Sequence, residues 1–194
     1  MSGIGSSYVF RAEAVRFERD GIVFAPPFTM ALRAGDTIAV DVPDAGAARV
    51  VARLAGGIVK ATGGTIFIGD YNPRLQPIQA KRLVAFVDGD CGLAPADRFE
   101  CELSLRADLW RVERSLAAAR AQRVRAALGD GGYTRGVALA CVAGAPLFVL
   151  DRPPEPVVAR LAAVFPTAAI FATRVGVRAA LDAPEARIGA PIPG

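Results

Sequence analysis

The residue types that carry most protein chemistry are scarce in this chain. It has no histidine, which removes the commonest general base, the commonest metal ligand and the usual switch at physiological pH. Its three cysteines, Cys91, Cys101 and Cys141, form no C-x-x-C pair and are odd in number. They read as reduced thiols or packing residues, with no metal site among them. One place remains where the layout suggests chemistry, and a second apolar run ends on a carboxylate. The first is VDVPDAGAARVVARLAGG, Val40 to Gly57, where a β-like run passes through a short turn into a helical run. That is the layout of a phosphate-binding loop, but the residues that would hold a phosphate are missing. The other is LFVLDRPP, residues 147 to 154, an apolar run ending on Asp151 beside Arg152. A carboxylate placed there reads first as a strand-end acid, paired with Arg152 or with a helix N-terminus.

The surrounding elements must position these two places. YVFRAEAVRFERD alternates in part, and GIVFAPPFTMALRAGDTIAV carries further apolar runs, broken at Pro26-Pro27 and at Ala34-Gly35-Asp36. TIAVDV is uncharged until Asp41 and suits a buried strand. In AARVVARLAGG, Val50, Val51 and Leu54 fall on one side of a helix and Arg49 and Arg53 on the other, with Gly56-Gly57 as the stop. ATGGTIFIGD predicts a strand between glycines, and IQAKRLVAFVDGD a short helix running into the strand LVAFV. From about Glu100 to Leu128 the pattern is helical, with Leu105, Leu109, Val112 and Leu116 recurring at spacings of four and three. Gly129-Asp130-Gly131-Gly132 breaks it. YTRGVALACVAG, PLFVL, PVVARLAAVF and AAIFAT then predict helix, strand, helix and strand. Strands first, then alternating strands and helices, argue for an α/β fold with a mainly parallel core sheet and a helical insertion.

Composition bounds the rest. The 194 residues are enough for one domain with a full core, and 53% hydrophobic against 22% charged residues is a globular balance. The longest uncharged apolar run, VALACVAGAPLFVL at 137 to 150, is too short to span a bilayer. The N-terminus has no basic segment followed by an apolar core, so the expectation is a cytoplasmic protein without a signal peptide. Net charge is +4, nearly all of the basic residues are Arg, and the only lysines are Lys60 and Lys81. Arginine can meet nucleic acid or acidic lipid. Here the arginines are spread out and not clustered with aromatics, so nucleic acid is not the expected partner.

The order of segments GDTIAV, turn, helix ending AGG, TGGTIFIGD, LVAFV, helical block, GDGG, VALA, PLFVLDRPP and IFATR resembles the nucleotide-binding subunit of an ABC transporter over about residues 8 to 180. The resemblance implies a P-loop-NTPase-like α/β fold with a mainly parallel core sheet, an N-terminal antiparallel β part and a helical subdomain at about 100–145. Residues 1–194 form one domain in this reading, with a surface tail at about 182–194.

Carried over position by position, the family's motifs are largely absent. Its phosphate loop is G-x-x-x-x-G-K-[ST], in which backbone N–H groups close on phosphates, the Lys reaches them and the hydroxyl holds magnesium. Here the corresponding residues are Val42, Ala47, Ala48 and Arg49, with Pro43, Asp44 and Gly46 expected in the loop. No other register supplies the motif, since neither lysine follows Gly or precedes Ser or Thr. Asp151 stands where the family's magnesium-binding acid stands. The next residue, the family's catalytic Glu, is Arg152, which cannot take a proton from water. The nucleotide-capping loop Leu-Ser-Gly-Gly-Gln is replaced by Gly129-Asp130-Gly131-Gly132-Tyr133, and Asp130 would repel a phosphate. The expected Gln falls near Asp88-Gly89, the switch His at Arg174, and the adenine-stacking aromatic near Arg19, with Phe17 and Tyr8 close by.

The expectation is therefore a catalytically inactive ABC-ATPase-like subunit with no cofactor, in which ATP and magnesium are the only candidates. Its partners would be a membrane permease, an active ABC ATPase or further copies of itself. The family's permease groove corresponds to about Asp88 to Trp110, with Leu93, Phe99 and Trp110 as candidate contacts, although Leu93 and Phe99 read more readily as core. A structural accessory protein reusing the fold is the alternative, and a weak ATP-binding subunit a further one.

Overall fold

A computed structural model describes residues 8–89 and 96–176, and Cys91, Leu93 and the 182–194 tail lie outside them. Strands β1 (Tyr8–Arg19) and β2 (Ile22–Arg33) are followed by β3 (Thr37–Val42), helix α1 (Ala45–Ala55), β4 (Gly63–Ile68), α2 (Pro77–Arg82) and β5 (Val84–Val87). The helical part comprises α3 (Phe99–Trp110), α4 (Arg114–Leu128) and α5 (Gly132–Ala140). Strand β6 (Leu147–Asp151), helix α6 (Val157–Val164) and strand β7 (Ala169–Val175) complete the described chain.

Two sheets result. β2, β1 and β4 form an antiparallel sheet in that order, and β3, β7, β6 and β5 a parallel one. Both expected β parts are present. The alternation of β6 and β7 divides the core between the two faces of the parallel sheet. Phe148, Leu150, Ile170 and Ala172 pack with the helical part and α6. Leu147, Val149, Ala169 and Phe171 pack with α1 and the antiparallel sheet. Burial on both faces is why these strands read as continuous apolar runs.

Three local expectations are corrected. Pro26-Pro27 does not end a strand: β2 runs through it, with the register to β1 slipping between Val15↔Phe28 and Phe17↔Ala25. β2 is an edge strand of its sheet, where a missing N–H is tolerated. The helix expected from Glu100 to Leu128 is two helices, because Arg111 adopts a left-handed conformation at the end of α3. The Arg114 guanidinium grips the Asp108 carboxylate across that corner with bonds of 3.2 and 2.7 Å. Finally, the leucine stripe is not the buried face. Leu105 is 66% and Leu109 72% exposed, whereas Phe99, Leu103 and Ala107 point into the core.

Several arginines have structural work inside the helical part. Arg120 donates to the Val142 carbonyl at 2.6 Å, and Arg123 donates to the Val164 carbonyl at 3.0 Å while lying over the Phe165 ring. Arg125 lies over the Phe99 ring. These side chains cap helix ends and cover rings.

Candidate functional site

In the parallel sheet the C-terminal ends of β3, β7 and β6 share one edge, where open α/β sheets place their ligands. At the end of β3 only Pro43 and Asp44 separate strand from helix. Asp44 is the N-cap of α1: its carboxylate accepts the Ala47 N–H at 2.8 Å and its carbonyl accepts the Ala48 N–H at 3.0 Å. Gly46 is the second residue of the helix, not a loop residue as expected, because Asp44 caps the helix three residues before Ala47 and α1 begins at Ala45. A side chain at Gly46 would approach the Asp44 carboxylate at 3.0 Å, so glycine leaves room for the cap. Ala48, at the lysine position, is fully buried on the core side of α1. Arg49 lies one residue further along the helix.

A phosphate does not fit this helix start. The Ala47 N–H is already taken by the Asp44 carboxylate, and only Pro43 and Asp44 lie between β3 and α1 to wrap a phosphate. A second anion held about 4 Å from the Asp44 carboxylate would meet a repulsion of about 4 kcal/mol at an effective dielectric near 20.

At the end of β6, Asp151 is fully buried and completely engaged. Its Oδ1 accepts from Arg152 Nε at 3.1 Å and from Thr173 Oγ1 at 3.2 Å. Its Oδ2 accepts from Arg152 Nη2 at 3.1 Å and from the Gly89 N–H at 3.1 Å. The Arg152 backbone is left-handed, with φ of 47°, which turns its guanidinium back onto the preceding carboxylate. Its own N–H donates to Thr173 Oγ1 at 3.2 Å. Hydrogen bonding to Asp151 raises the Arg152 guanidinium above its already high ordinary value. The fork-to-fork grip leaves the carboxylate facing a cation that belongs to the chain. A hydrated magnesium ion does not fit beside a carboxylate so occupied.

The remaining positions surround this pair or lie apart from it. Asp88, near the expected Gln, forms an ion pair with Arg53 of α1 at 2.8 Å. Gly89 approaches so closely that a side chain there would sit 2.6 Å from the Asp151 carbonyl oxygen. Tyr133, at the Gln position of the capping loop, donates from its hydroxyl to the Asp151 carbonyl at 3.4 Å. Gly131 and Gly132 open α5, with Gly131 as its N-cap. Asp130 lies between Arg125 and Arg135, 3.7 Å from each. Arg174, at the switch position, pairs with Asp41 through bonds of 3.0 and 3.2 Å. Arg19 pairs with Asp20 at an exposed turn, Phe17 packs against Phe24, and Tyr8 lies under Arg33. Sequence reasoning singled out Asp151 and Arg152 and named Gly89 only as lying near the expected Gln, without its bond to Asp151, and it missed Thr173. The signal for Thr173 is the register of two parallel strands, which sets it opposite Asp151.

Away from this edge, a cavity of about 360 Å³ lies between the core sheet and the helical part, lined by Ile58, Lys81, Phe86, Arg106, Trp110 and Leu139 among others. Trp110 lines this cavity, and Phe99 is buried in the helical core. Among the described residues no helix is long and apolar enough to cross a membrane, and no group of three or more acidic, Cys or His side chains is placed to hold a metal.

No family profile matches the sequence, and no curated protein matches it. Solved structures do match. The ATP-binding subunit of an ABC transporter superposes with a TM-score of 0.66 at 14% identity, over 86% of this chain and 79% of that one. The cbiO1 protein of Clostridium perfringens, part of the ABC transporter complex cbiONQ, gives 0.62 at 15% identity over 87% and 79%. A bacterial Atm1-family ABC exporter with ATP bound gives 0.63 at 15% over 84% of this chain and 34% of the exporter. The parallel and antiparallel sheets, the helical insertion and these likenesses agree: the chain has the fold of ABC transporter ATP-binding subunits.

Proposed function

We propose that this chain is a catalytically inactive ABC-ATPase-like subunit with an assembly, regulatory or docking role in a membrane transport complex. The observation that carries the reading is Arg152, which stands where the family's catalytic base stands and is clamped on Asp151. A guanidinium cannot accept a proton from water, so no general base is offered at this position. The closed start of α1 supports the same reading. The fold itself is retained, and a docking surface can persist in such a frame without turnover.

The groove beside Trp110 is the docking surface in this reading. Leu105 and Leu109 project from α3, and two large exposed leucines four residues apart form an apolar ridge. Lys81 and Arg106 at the groove add positive charge, which suits an apolar segment carrying acids. The partner is a permease or an active ATPase of a transport complex, as the cbiO1 protein is part of one.

Two measurements test the proposal. The purified protein with magnesium and ATP is expected to hydrolyse no faster than its Asp151→Asn variant. Affinity purification from the source cells is expected to recover a permease or an ABC ATPase, and the Leu109→Glu variant is expected to lose it. Turnover that depends on Asp151 would refute inactivity, and a wild-type chain that recovers neither partner would refute the docking role.

A further inference from the structure

The geometry points to a self-liganded site: the chain's own side chains occupy both charged seats that a magnesium nucleotide would take, with the Arg152 guanidinium in place of the cation and the Asp44 carboxylate in place of the phosphate. The inference deepens the reading of inactivity, because it replaces missing residues with substitutes that are present.

Four donors meet the Asp151 carboxylate, at 3.1 to 3.2 Å, and two of them come from one guanidinium. A buried carboxylate needs a counter-charge, and a divalent metal is one source. Here the counter-charge is covalently part of the chain, one residue away, and held by the left-handed backbone of Arg152. The same substitution, with opposite sign, is made at α1. A helix start attracts an anion through its unpaired N–H groups and its dipole, and Asp44 places a carboxylate there, on the Ala47 N–H. Both seats lie on the C-terminal edge of one parallel sheet, β3 carrying one and β6 the other, with β7 between them. The fold of this edge therefore needs neither metal nor nucleotide to balance its charges.

Thermal unfolding with manganese chloride alone, and separately with magnesium-ATP, tests the proposal on the full chain. Wild type is expected to shift by less than about 1 °C in either, since a ligand raises the midpoint only through binding to the folded state. Arg152→Gln is expected to unfold about 10 °C lower, because it strips a buried acid of its partner. That variant is also expected to regain about 5 °C in manganese chloride, the metal entering the vacated seat. The double variant Asp151→Asn with Arg152→Gln is expected to unfold nearer to wild type and to ignore manganese. If Arg152→Gln does not fold, a folded, metal-insensitive double variant still supports the pairing. An Arg152→Gln protein as stable as wild type, or one indifferent to manganese, overturns it. Saturable manganese binding by wild type that disappears in Asp151→Asn does the same. An uncoupled pair sinks this inference alone, whereas ATP hydrolysis by wild type sinks the reading of inactivity.

Discussion

The Asp44 carboxylate accepts the Ala47 N–H at 2.8 Å and so closes the first turn of the helix that a phosphate would otherwise meet. Replacing Asp44 with Ala is expected to lower stability by about 1 kcal/mol, while Asn, which caps equally well, is expected to be near neutral. Urea unfolding reads both, and an unchanged slope would place the effect in the folded state.

Thr173 holds the charged pair from the neighbouring strand. Its hydroxyl donates to Asp151 and accepts the Arg152 N–H, both at 3.2 Å, and it is fully buried. Thr173→Val keeps the shape and removes both bonds, and a loss of about 2 kcal/mol is expected. Thr173→Ser keeps the hydroxyl and is expected to lose less. Equal losses in the two variants would mean that packing, not the hydroxyl, matters here.

Cys141 is buried and donates from its thiol to the Ala138 carbonyl at 3.0 Å, and burial pushes the thiol up to about 12. In the unfolded chain a thiol ionises near 8.5. The raised folded value means that Cys141 contributes stability in full below about pH 8.5, and that this contribution is lost as pH rises from there towards 12. Cys141→Ala should flatten the alkaline decline in unfolding midpoint. At pH 8, Cys101, which is exposed, is expected to react with a thiol reagent while Cys141 stays silent until the protein unfolds.

Gly64 and Gly129 both have positive φ, 77° and 82°, but their surroundings differ. A methyl on Gly64 would collide with the Glu13 and Ala14 carbonyl oxygens of β1, at the irregularity where β1 pairs with β4. A methyl on Gly129 would meet open space. Gly129→Ala is expected to cost about 2 kcal/mol in backbone strain alone, since φ 82° with ψ −173° suits only glycine, and Gly64→Ala about 4 kcal/mol or more, because the sheet backbone must also move. Midpoints that fall equally would contradict the collision.

Leu109→Glu is expected to change stability by less than about 0.5 kcal/mol, since the side chain is 72% exposed. Loss of partner recovery without loss of stability would separate docking from folding at this residue. A matching loss in the buried Leu103→Ala variant carries no such meaning, because that change opens the core.

How much of this was legible in the sequence depended on the physical origin of each feature. TIAVDV, LFVL and AAIFAT announced strands because burial on both faces writes a continuous apolar run. Gly56-Gly57 announced the end of α1 because a glycine there frees the backbone, and Gly57 does adopt a positive φ of 66°. The corner at Arg111 left no trace, since nothing about an arginine marks a left-handed residue. The buried side of α3 was hidden too: Leu105 and Leu109 outweigh Leu103 and Ala107 in hydrophobicity, yet the smaller pair faces the core. At the site, the exchange of an acid for Arg152 was readable in one dimension. The bonds from Gly89 and Thr173 were not, because they join positions 62 and 22 residues from Asp151.

The strand order has a consequence for synthesis. Among the described residues β3 pairs only with β7, and the Asp41–Arg174 bonds join residues 133 apart in the chain. β7 is also the strand on which β6 leans. A nascent chain therefore carries β3 and the start of α1 without a sheet partner until Val175 has left the ribosome. Local helices and the β1–β2 hairpin can form early, but the core closes last and pays the entropy of its longest loop at that moment. A chain halted before Ala169 lacks the strand between β3 and β6 and leaves their facing edges unpaired, the kind of edge that other chains can pair with.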